Sequence, residues 1–163
     1  MGFNNTGFIS PESVSAVTTT PQVTLGTRTV INGNEYVYVY NCGNAAIKVG
    51  WGGYVTANSG YSVSVSNAAS QVGFLAGVCH HASIPTAYYG WLMTKGVCYV
   101  AADGSETSAA SGNYIFLGVD GGFVAAAGTA SLATGVRYGW LISTLQTQGT
   151  TTPGKAWIKS DWA

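Results

Sequence analysis

The sequence predicts an all-β protein: a single β-barrel or jelly-roll-like sandwich of about ten strands over residues 22–163, with an extended N-terminal arm over residues 1–21. Three observations carry this reading. Short runs alternate apolar and polar residues at period two, turn dipeptides recur at roughly 8–15-residue spacing, and no segment sustains the 3.6-residue period of an amphipathic helix.

The first 21 residues place Phe3, Phe8 and Ile9 among Gly, Asn, Ser and Thr, and close on Thr18-Thr19-Thr20-Pro21. Three apolar anchors on a polar tether read as an arm that orders on a neighbouring protein. Burying each anchor contributes up to about 1.5–3 kcal/mol before ordering costs. Phe3, Phe8 and Ile9 are therefore the candidate protein-interface residues. Ser10-Pro11-Glu12 can also cap a short helix.

From Gln22 the pattern turns to β. Val23, Leu25 and Val30 lie in a Thr-rich run whose β-branched side chains suit a pleated surface. Asn32-Gly33 separates this run from residues 35–40, where Tyr36, Tyr38 and Tyr40 alternate with Val37 and Val39. An Asn-Gly between two such runs is the strongest hairpin signal in the chain, and the alternation puts Tyr on one face and Val on the other.

Further strands are expected at 61–66, where Val63 and Val65 alternate with serines, and over the apolar run 72–79. Residues 89–94 and 97–101 read as two strands about a turn at Lys95-Gly96. Turns at Asp103-Gly104 and Asp120-Gly121-Gly122 bracket a strand at 114–119. Strands at 136–144 and 155–161 flank a loop ending at Pro153-Gly154. Residues 67–71 look like one helical turn. Tyr89-Gly90-Trp91-Leu92 recurs as Tyr138-Gly139-Trp140-Leu141, but two matches do not establish a repeat.

Charge narrows the function. Six Lys or Arg and six Asp or Glu among 163 residues leave a formal net charge of zero, against roughly 40 charged residues expected at this length. Scattered cations this few do not form a phosphate-binding stripe, so no nucleic-acid partner is expected. Apolar residues at 47% argue against disorder. The opening residues carry neither the positive charge nor the apolar run of a signal peptide. The run 119–133 falls short of a membrane span and is broken by Asp120 and glycines, so no membrane partner is expected. Gly2 with Thr6 fits the myristoylation pattern only poorly, because Phe3 follows the acceptor. Cys42, Cys79 and Cys98 read as reduced, partly buried thiols.

No catalytic or metal constellation emerges, and no cofactor is expected. Cys79-His80-His81 is the nearest candidate, but neighbours on a strand point to opposite faces, whereas zinc ligands must converge. The chain has no G-x-S-x-G elbow, and Gly50-Trp51-Gly52-Gly53 lacks the full dinucleotide-loop spacing. The twenty Trp, Tyr and Phe residues read first as sheet core, then as protein interface, then as sugar-stacking platforms.

Several segments resemble those of capsid decoration (cement) proteins of tailed phages. They are Val23-Thr-Leu-Gly-Thr-Arg-Thr-Val-Ile-Asn-Gly-Asn-Glu-Tyr-Val-Tyr-Val-Tyr40, Tyr61-Ser-Val-Ser-Val65 with Val72-Gly-Phe-Leu-Ala-Gly-Val78, Tyr89-Gly-Trp-Leu92, and Gly112-Asn-Tyr-Ile-Phe-Leu-Gly-Val-Asp-Gly121. The resemblance is one of pattern over roughly residues 23–160 and leaves the arm outside it. It implies a non-enzymatic virion protein, made in the host cytoplasm and placed on the outer capsid. Such a protein binds the major capsid protein of the same phage and is often a homo-trimer. A carbohydrate-binding module or receptor-binding tip, and a tail or head-fibre base, are the alternatives. Low charge fits an assembly protein whose partners cover its strand edges.

Overall fold

Twelve β-strands and one 3₁₀ turn make up the computed structural model, which describes residues 11–56, 60–65, 75–102, 108–118, 121–126, 138–143, 145–146 and 154–160. In chain order the strands are β1 (Arg28–Ile31), β2 (Asn34–Asn41), β3 (Gly52–Val55), β4 (Ser62–Ser64), β5 (Leu75–Cys79) and β6 (Tyr89–Val100). They continue as β7 (Ser108–Ala109), β8 (Tyr114–Leu117), β9 (Phe123–Ala126), β10 (Gly139–Leu141), β11 (Leu145–Gln146) and β12 (Gly154–Lys159). The fold is all-β and barrel- or sandwich-like, as the alternation predicts.

The Asn32-Gly33 hairpin forms. Asn32 and Gly33 have φ of 51° and 78°, the two left-handed positions of a type I′ turn, and Ile31 pairs with Asn34 across it. Alternation along β2 then divides its side chains between two cores. Val37 and Val39 enter one, Tyr36 and Tyr38 the other.

Strand pairing explains the two cores. Pairings β2–β4, β4–β3, β3–β5, β5–β6 and β6–β2 close on themselves into a small barrel, with β2–β4 parallel. Val37, Val39, Val63, Ala76 and Leu92 fill it, capped by Ile47 and Ile84, which bridge each other from the loops. Beyond β6 the same sheet runs on through β12, β10, β8 and β9. Its buried face encloses a second core, in which Tyr36, Tyr38, Trp91 and Met93 meet Ile115, Phe123, Leu141 and Ile158.

The expected turn at Lys95-Gly96 is not a turn. Residues 89–100 form one twelve-residue strand. The ladder with β2 shifts register at Thr94, between Met93 and Lys95, where the strand changes partners: β2 and β5 flank its first half, and β12 pairs from Lys95 to Val100. A Lys-Gly pair resembles a turn locally, but pairing of Lys95 with both Glu35 and Lys159, and of Gly96 with Ile158, holds it extended. The strands expected at 61–66 and 72–79 are present as β4 and β5. Residues 66–74, including the expected helical turn, lie outside the described residues.

Residues 11–18, within the stretch expected to be an arm, lie against the β body. Pro11–Ser15 is the 3₁₀ turn, Val14 is buried in the second core, and Thr18 exchanges backbone hydrogen bonds of 3.1 and 2.8 Å with Tyr89. The Tyr38 hydroxyl adds a tie by accepting from the Gln22 amide at 3.1 Å.

Candidate functional site

The predicted interface residues Phe3, Phe8 and Ile9 lie outside the described residues. The Cys79-His80-His81 cluster is described, and its geometry departs from expectation. β5 ends at Cys79, so strand alternation no longer governs the two histidines, and their rings meet edge-on at 4.6 Å. His81 stacks on Tyr36 at 5.7 Å, and its Nε2 shares a 3.3 Å hydrogen bond with the Tyr36 hydroxyl. His80 Nδ1 is buried without a partner. The Cys79 thiol donates to the Ala82 carbonyl at 3.0 Å, and burial pushes it up to about 12. Burial also lowers both histidines, and the charge of His81 lowers His80 further. Among the described residues no three His, Cys, Asp or Glu groups converge on a metal position. The cluster is a packed, neutral joint between β5 and β2.

Gly50-Trp51-Gly52-Gly53 is barrel wall. Gly52 and Gly53 pair with Val78 and Gly77 on β5, and a Cβ on Gly53 would sit 2.9 Å from Leu92 Cδ1. The glycines allow close packing of strand on core rather than approach to a phosphate. Seven aromatics follow the core reading outright: Tyr36, Tyr38, Tyr54, Trp91, Phe116, Phe123 and Tyr138 are buried.

A second group of aromatics is not buried. The outer face of β6, β12, β10 and β8 carries a row of directly paired residues: Val97 opposite Trp157, Trp157 opposite Trp140, and Trp140 opposite Tyr114. Trp140 is 44% exposed and Val97 37%. Two residues along the strands, Tyr99 (51% exposed) pairs with Lys155, whose carbonyl accepts from the amide of exposed Ile142 at 2.7 Å. In the opposite direction a charged row runs Glu35–Lys95–Lys159, with exposed Val30 beyond Glu35 and a 2.9 Å ion pair between Glu35 and Lys95. An apolar ridge thus borders a lysine-bearing strip on one continuous sheet face.

The two indoles stack on each other, with ring centroids 4.4 Å apart and planes 19° apart. Each ring therefore spends one face on its neighbour. The opposite face of Trp140, which is 44% exposed, is not used by this stacking. The signal was present in the sequence: Lys155-Ala156-Trp157-Ile158-Lys159 alternates charged, small and aromatic residues so that Trp157 shares a face with both lysines. The partner Trp140 was not identifiable, because its pairing with Trp157 joins residues too far apart in the chain for local pattern to set the register. No family model matches the chain, and no curated protein matches it in sequence.

Proposed function

We propose that the chain is a virion structural protein, a capsid decoration (cement) protein that binds the outside of a phage head and stabilises contacts between capsid subunits. Its partner on this reading is the major capsid protein of the same phage, and its working state is a homo-oligomer, with a trimer favoured. The exposed face of β6, β12 and β10 is the observation that supports this most directly. A chain with twelve charges in all leaves Trp140, Tyr99, Val97 and Ile142 in solvent on one sheet surface, as a surface destined for a protein neighbour does. The segments that resemble decoration proteins add to it, since they include β2 and part of β6.

Sedimenting the purified chain with shells assembled without it tests the reading. Co-sedimentation at saturable stoichiometry is expected. No binding at any salt concentration would refute it. Sugar recognition, the competing reading, predicts instead that glycans quench the Trp fluorescence.

A further inference from the structure

We propose that His80 and His81 form an acid-opened joint: the closed arrangement has no room for a proton on each ring, and taking up both releases residues 80–83 from β2 while the barrel and the second core stay folded. This is a property of the chain alone and holds whatever the chain binds. His80 is the critical member. In an imidazolium both ring nitrogens carry hydrogen and must donate. His80 Nδ1 is buried and faces no acceptor, so a charged donor there would be left unsatisfied. The neighbouring ring is a second obstacle. Its centroid lies 4.6 Å from that of His80, and two imidazoliums at that distance repel. One proton on His81 is tolerated, because Nε2 can donate to the Tyr36 hydroxyl at 3.3 Å. Burial disfavours charge on both rings as well.

No neighbouring group relieves the pair. The titratable groups around it are Cys79 at the end of β5, Tyr36 on β2 and Cys98 on β6, which shares the second core with Tyr36. Burial raises all three, so each is neutral in mild acid. Glu35 points to the opposite face of β2 from Tyr36 and pairs with Lys95. Among the described residues no carboxylate lies within ion-pair reach of either imidazole.

The segment is pinned at both ends, so it can open alone. Upstream, the Cys79 amide donates to the Trp51 carbonyl at 2.9 Å, and the Cys79 carbonyl accepts from the Gly50 amide at 2.7 Å. Downstream, Ile84 and Ile47 exchange bonds of 3.0 and 2.9 Å, and Asn41 Nδ2 donates to the Ile84 carbonyl at 2.9 Å. Between these pins the polar ties are the His81–Tyr36 contact, the Cys79 thiol on the Ala82 carbonyl and the Val49 amide on the Ser83 hydroxyl at 3.3 Å. Opening uncovers the Cys79 thiol and leaves Cys98 shielded in the second core.

Labelling the full chain with a dipyridyl disulfide, mapped by peptide mass spectrometry, tests the joint. The rate at Cys79 is read against exposed Cys42 in the same molecule, which cancels the pH dependence of thiolate formation. An imidazole of ordinary value near 6.5 that gains its proton only on opening favours opening about tenfold at about pH 5.5. The Cys79 to Cys42 ratio should therefore rise about tenfold or more between about pH 7.5 and 5.5, with Cys98 still protected. His80→Gln, neutral at every pH, should keep the ratio flat. His81→Gln, at an exposed ring, should diminish the rise and reads the joint even if His80→Gln does not fold. Far-UV circular dichroism establishes that each variant is folded. No rise at Cys79 in the wild type overturns the assignment. So does a common rise at Cys79 and Cys98, which reports global unfolding, and so does an undiminished rise in a folded histidine variant. Shell binding enters none of these readouts, so the joint and the capsid reading stand or fall separately.

Discussion

Thr94 is buried in the middle of β6, and its hydroxyl has no hydrogen-bond partner. Leaving such a group unsatisfied costs about 1–3 kcal/mol, so Thr94→Val should raise stability by about 1 kcal/mol in urea unfolding. The thiols divide by burial. Cys79 and Cys98 are buried and pushed up to about 12, while Cys42 is exposed. A thiol reagent at neutral pH should label one cysteine rapidly in the native protein and all three after denaturation, because only a thiolate reacts. The histidines set a pH dependence. Folding lowers both, so the unfolded chain binds more protons below the ordinary imidazole value near 6.5. Stability should be full above that value and fall as pH drops through about 6.5 toward 5, a window in which no other side-chain type with an ordinary value titrates. His80→Gln should flatten that slope in pH-dependent melting.

At the scale of elements, the closeness of β5 to β6 sets the barrel. A Cβ on Gly77 would lie 2.6 Å from the Met93 carbonyl oxygen, so Gly77→Ala must push the strands apart. The expected loss is about 1–3 kcal/mol. Gly33→Ala is the useful comparison. Its position is open to solvent space but holds φ 78°, so it should cost about 1–2 kcal/mol through backbone strain alone. Denaturant midpoints separate the two causes: Gly77→Ser should be at least as damaging as Gly77→Ala, whereas Gly33→Asn should recover most of the loss, since Asn tolerates the left-handed region. Local pattern was enough to locate the hairpin and the Tyr/Val alternation of β2, because turn type and strand parity are decided within a few residues. It misread Lys95-Gly96, because whether a Lys-Gly pair turns or continues depends on whether partners flank both sides. For β6 those partners lie as far along the chain as Lys159.

For the molecule as a whole, β6 is the shared member. Its Leu92 sits in the barrel core, while Trp91, Met93, Cys98 and Val100 belong to the second core. The two cores should therefore unfold together. Leu92→Ala is expected to cost about 2–5 kcal/mol and still give one transition. Coincident melting by circular dichroism and by reactivity of the buried thiols is the check, and separated transitions would show independent cores.

By itself the sequence determined that this chain is β throughout, where its best hairpin lies, that its surface is nearly uncharged, and which residues alternate along β2 and β12. Each of these follows from interactions within one strand or turn. Tertiary structure alone decided that the sheet closes into a barrel through the parallel β2–β4 pair. It also decided that Tyr89-Gly90-Trp91-Leu92 and its echo part ways, with Trp91 7% exposed in the core and Trp140 standing in solvent against Trp157. The reason is that parity tells which residues share a face. Whether that face meets protein or water depends on which strands come to lie over it.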